Sequence, residues 1–151
     1  MNKSKGFTII ELIVVIAIIA ILAGIVLVNV TTYINKAKDA AVRSDLANLA
    51  MGMAACYSSS AGLSYSGCFD ATNGTTYIPK ALQDDIRNRN GTATDPVVTT
   101  TTTTAAGYCA YAKLPSFATA TYACVDSTGQ TTDIVAAGVT LCITASAPKC
   151  K

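Results

Sequence analysis

Six cysteines, no histidine and one isolated carboxylate set the chemistry open to this chain. Without histidine there is no His-based catalytic triad and no His metal ligand. The sequence also lacks a CxxC pair, a P-loop and a Gly-rich dinucleotide turn. Serine and threonine are numerous, but no general base accompanies them, so the residues point away from an enzyme. Oxidative cross-linking remains. Cys56, Cys68, Cys109, Cys124, Cys142 and Cys150 are an even set in a small polar region, which reads as a disulfide framework in an oxidising compartment. Of the fifteen connectivities open to six cysteines, nearest-neighbour pairing is the expectation: Cys56–Cys68, Cys109–Cys124 and Cys142–Cys150. Neither a metal nor a cofactor is expected. Asp126 and Asp133 flank a turn, but two carboxylates fall short of the six to eight oxygens of a Ca²⁺ site.

The isolated carboxylate is Glu11. It is the only charge in residues 7–30, an otherwise apolar run with a basic leader, Lys3 and Lys5, ahead of Gly6. A charge at the centre of a membrane helix costs roughly 2.5–3.5 kcal/mol. Glu11 therefore calls for a partner. As a helix the run is about 36 Å long, enough to span a hydrocarbon core of roughly 30 Å. A cleavable secretory signal has a shorter apolar core with a small-residue site after it. Here the run is long and the small residue, Gly6, stands before it. Lysines flank both ends, so charge does not orient the span; the cysteines place the C-terminal part outside.

The apolar pattern changes after Val30 without a proline to break it. Ile34, Ala37, Ala41, Val42, Leu46, Leu49, Met53 and Cys56 recur at steps of three and four, with Lys36, Asp39, Arg43 and Asp45 largely off that stripe. Residues 31–57 thus read as the amphipathic continuation of one helix, about 75 Å long in all. Gly24 is its one soft point.

Residues 58–151 form the head. Ser58 to Gly74 reads as a loop, residues 77–83 as a short turn or helical piece, and residues 88–91 and 95–96 as turns. Strand patterns follow at residues 108–114, 122–126 and 139–144. The six threonines of residues 99–104 read as an exposed loop or edge strand that is also a candidate for O-glycosylation. Charged residues are 13% of the chain and net charge is +2, so no nucleic-acid surface is implied. The fold class expected is α+β, a long N-terminal helix on a small antiparallel sheet with a disulfide-stapled head.

The sequence GFTIIEL at residues 6–12, followed by the apolar run at residues 13–23, resembles the N-terminus of type IV pilins and pseudopilins. The resemblance covers Lys3 to about Ala55 and is closest to type IVa prepilins with their short leader. It implies removal of residues 1–6 by a prepilin peptidase, cleavage between Gly6 and Phe7, and N-methylation of the new Phe7 amine. It also implies a subunit whose apolar half-helix (residues 7–30) protrudes while the amphipathic half packs on the sheet. Such subunits sit in the inner membrane before assembly, engage an inner-membrane assembly platform, and form a helical homopolymer at the cell surface. Glu11 would then neutralise the amine of Phe7, an assembly role. Two features depart from the family: there is no kink proline near Gly24, and six cysteines replace a single C-terminal disulfide loop. Three readings stand: a pilus subunit in first place, a major pseudopilin of a secretion or DNA-uptake system, and a single-span anchored surface domain. Adhesion, twitching motility, DNA uptake and secretion are not distinguished by the residues.

Overall fold

The computed structural model describes residues 6–100, 106–135, 142–143 and 149–150. The chain divides into two compact units, Met1–Asn35 and Lys36–Lys151. Helix α1, Ile9–Ser59, begins in the first and ends in the second. The α-helical conformation continues through Gly24 without a break. In the first unit the side chains of residues 6–26 are all exposed.

In the second unit α1 buries Val42, Leu46, Leu49, Met53 and Cys56, the three-and-four spacing of one helix stripe. That stripe starts with a charged residue. Asp39 lies on it rather than off it, and is buried. Its carboxylate accepts hydrogen bonds from the backbone N–H of Ser116, at 3.1 Å, and from the Ser116 hydroxyl. A buried carboxylate survives only with such donors, so Asp39 ties the helix to the loop after Leu114.

A second helix, α2 (Lys80–Asn90), replaces the short piece expected at residues 77–83. It contains only Leu82 and Ile86 as large apolar residues, too few for a clear period. Gly91 closes it with φ 71°, a left-handed turn natural for glycine, and its N–H bonds the Arg87 carbonyl at 2.9 Å.

Four antiparallel strands follow in the order β1–β2–β3–β4: Val97–Thr100, Tyr108–Lys113, Thr121–Asp126 and Thr131–Val135. Strand β4 was not expected from the pattern; the threonine tract reads as an exposed loop or edge strand, and β1 takes in its first two residues. Thr99 and Thr100 belong to the edge strand β1, and residues 101–104 lie outside the described residues. Of the strand expected at residues 139–144, the described part is β5, Cys142–Ile143, paired with β6, Lys149–Cys150.

The period-2 alternation gives the sheet two buried faces. Tyr108, Ala110, Ala112, Ala123 and Val125 join the core formed with α1 and α2. Cys109, Cys124 and Ile134 form a second core with Cys142 and Cys150. Alanines line much of the helix-side face, and disulfides fill the opposite face.

Cys56 and Cys68 are bonded. The other two pairs differ from nearest-neighbour expectation: Cys109 bonds Cys142 and Cys124 bonds Cys150. In the β2–β3 register Cys109 faces Asp126 and Cys124 faces Tyr111, so the two sheet cysteines are diagonal rather than opposite. Each reaches across to one of Cys142 and Cys150, which face each other in the β5–β6 pair. The Cα separations of 6.0 and 5.8 Å suit a disulfide. Closing 33 and 26 residues of chain also restricts the unfolded state more than two short local loops would.

Candidate functional site

Gly6, Phe7 and Glu11 fall within the entry to α1. Thr8 organises that entry. Its backbone N–H and its hydroxyl each donate to Glu11 Oε2 at 2.8 Å, and the Glu11 N–H reaches back to Thr8 Oγ1 at 3.3 Å. This is a reciprocal capping box, in which the N-cap residue and the residue three positions on satisfy each other's backbone donors. The signal, T-x-x-E ahead of an apolar run, stands in residues 8–11, but the apolar context draws attention to Glu11 alone. The capping bonds give the carboxylate a fixed place at the positive end of the helix dipole. Gly6 and Phe7 precede the helix outside any regular element and are exposed, Phe7 at 81%. A side chain at Gly6 would meet no atom within 4 Å.

Beyond the cap, α1 presents Ile9, Ile13, Ile16, Ile19 and Leu22 to the outside, all more than half exposed. It is long and apolar enough to cross a membrane, with a mean hydropathy of 3.2 over its most apolar 18 residues.

The head offers carboxylates in structural roles. Asp133 pairs with Arg43 at 2.5 Å across an open cleft of about 460 Å³ that Leu46, Ala123 and Val125 also line. Asp126 is fully buried. Its Oδ1 accepts from the Thr128 N–H and hydroxyl and from the Gln130 N–H; its Oδ2 accepts from the Cys150 N–H. Burial pushes this carboxyl up, but the Thr128 hydroxyl and the three backbone donors outweigh it and hold the group below the ordinary Asp value. The two carboxylates weighed for Ca²⁺ are thus each engaged by protein donors. Tyr108, stacked edge-on against Tyr65 at 5.0 Å, is pushed up to about 12 by burial, with Tyr65 and Asp126 adding to the shift, and stays neutral at physiological pH.

Comparison with known proteins bears on the N-terminal end. Residues 1–27 match the family described as the prokaryotic N-terminal methylation motif. Over 47 residues the chain is 53% identical to the type IV major alpha-pilin of Moraxella bovis, and equally so to fimbrial protein Q of the same organism. Each match covers 31% of this chain and 30% of the relative, so the chain spans less than a third of the length of the curated relatives it matches. No solved structure matches the chain. The motif defines a class, proteins that carry a prepilin-type N-terminus. Within it, the N-terminal segment of this chain is similar to those of the two Moraxella bovis pilin and fimbrial proteins.

Proposed function

We propose that this chain is the structural subunit of a type IV pilus and not an enzyme. Prepilin peptidase cuts between Gly6 and Phe7 and methylates the Phe7 amine. The shortened subunit waits in the membrane on residues 7–30, then enters a helical homopolymer through the same helix and reaches the cell surface in the filament. The observation that carries this reading is the methylation-motif match at residues 1–27, on a helix whose apolar side chains from Ile9 to Val26 are exposed. Such a surface needs cover, from lipid first and from neighbouring helices later. Both relatives have pilin or fimbrial names, which favours a pilus over a pseudopilus.

Cleavage creates a cation at Phe7, with an ordinary pKa near 8. At a helix N-terminus the dipole disfavours it, and away from water an unpaired charge is very costly. Glu11 supplies the counter-charge. Mass spectrometry of the mature chain is expected to find N-methyl-Phe7 as the first residue, and the chain is expected in sheared surface filaments. Glu11→Leu is expected to leave insertion and cleavage intact and abolish filaments. An unprocessed Met1 terminus, or a normal filament yield from the variant, overturns the reading.

A further inference from the structure

The four cysteines of the second core are two disulfides placed side by side. Cys109 Sγ and Cys124 Sγ belong to different bonds yet lie 3.4 Å apart. With Cys150 Sγ they form a group whose members are all within 4.8 Å of one another. Cys142 and Cys150 face each other in the β5–β6 register. Two bonds and two facings close a ring: Cys109 against Cys124 through their sulfurs, and Cys142 against Cys150 through their backbone register.

We propose that this ring is a disulfide-exchange relay and that β5–β6 is a latch released by thiols. Cys150 is the most accessible of the four, at 7% exposure against 0% for Cys109. The thiolate of a small thiol attacks Cys150 Sγ; the Cys124–Cys150 bond breaks and Cys124 leaves as a thiolate. Cys124 Sγ then attacks Cys109 Sγ, forming a Cys109–Cys124 bond and breaking Cys109–Cys142. Cys142 leaves as a thiolate and takes a proton from water. A second thiol molecule attacks the mixed disulfide, freeing Cys150 as a thiol and forming the oxidised thiol dimer. Two thiols are oxidised and one protein disulfide is reduced.

The relay needs the diagonal sulfurs to close by only about 1.4 Å to reach bonding distance. Intramolecular attack by a neighbouring thiolate outruns a second encounter with reductant, because exchange rates depend on access to the target sulfur and Cys109 is fully buried. In the product no disulfide joins β5–β6 to the four-stranded sheet. The Cys150 N–H bond to Asp126, 3.1 Å in the oxidised protein, is one polar tie that then remains.

The test uses the full chain in detergent, partly reduced with 2-mercaptoethanol and quenched with iodoacetamide. Trypsin, cutting after Lys113 and Lys149, and a protease cutting before Asp126 and Asp133 place each of the four cysteines on its own peptide. Among molecules that have lost one bond of the ring, the expected species carries label on Cys142 and Cys150, with Cys109 joined to Cys124. Label on Cys124 and Cys150, label on Cys109 and Cys142, or loss of both bonds at once overturns the proposal. Cys150→Ser gives a second reading without reductant. The labelled thiol is expected at Cys142; label at Cys124, with Cys109–Cys142 retained, overturns the relay.

Discussion

A buried carboxylate is stable only where hydrogen bonds replace its water, and Asp126 has four, reaching both the β3–β4 turn and the penultimate residue of the chain. Its pKa is lower folded than unfolded. The stabilisation it brings is therefore fully present above the unfolded value, about 3.8 to 3.9, and is lost as pH falls through the lower, folded value. Asp70 and Asp84 are also held down, but both lie at the surface, half-buried, where screening leaves them little weight. Asp126→Asn is expected to cost about 1–3 kcal/mol at pH 7 and to flatten the acid limb of the stability curve. Urea midpoints at pH 7 and pH 3 check this; an acid limb as steep in the variant as in the parent refutes it. At this scale the sequence was legible where a residue acts through its neighbours in the chain. The T-x-x-E cap is such a local pattern, standing within four residues, though the sequence reading rests on Glu11 alone. Asp39 was not, because its partner Ser116 stands 77 positions away, and neither was the cysteine pairing, which depends on a diagonal offset between two strands.

The elements were legible in proportion to the apolar period they carry. α1 announces itself by composition and then by its stripe, and β2 and β3 by alternating aromatic and small residues. β1, β4 and α2 carry little apolar signal, and their neighbours hold them in place. Gly52 marks a close contact of α1 itself, with the loop ahead of α2. A Cβ there would stand 2.4 Å from the Tyr77 carbonyl oxygen and 3.0 Å from Ile78 Cγ1. Alanine favours a helix interior over glycine by about 1 kcal/mol, but here it drives α1 off the loop that places the fully buried Ile78. Overpacking of this kind costs about 1–3 kcal/mol, so the clash wins over the propensity. Gly52→Ala is expected to lower the urea midpoint of the head. At Gly24, where nothing stands within 4 Å, Gly24→Ala is expected to raise helix content in micelles. A Gly52→Ala head as stable as the parent would remove the close-approach account.

For the molecule as a whole, the two units answer to different solvents. Between Phe7 and Val30 stand seventeen Ile, Leu, Val and Phe residues. At about 0.3–0.6 kcal/mol each on an insertion scale they outweigh the roughly 3 kcal/mol of one charge, so Glu11 does not keep the segment out of a bilayer. The second unit owes nothing to that segment for its core: among the described residues, every buried one lies at Asp39 or beyond. Its three disulfides, Cys56–Cys68, Cys109–Cys142 and Cys124–Cys150, also lie wholly within it. A chain cut to residues 36–151, expressed where disulfides form, is accordingly expected to be a detergent-free monomer. Its unfolding midpoint should match that of the head in the full chain, since the cut removes exposed apolar surface and no buried contact. Size-exclusion chromatography and urea titration of both proteins measure this. Aggregation of the cut chain, or a midpoint shifted by more than the fraying of one helix end explains, would mean that the head depends on the first unit for its folding.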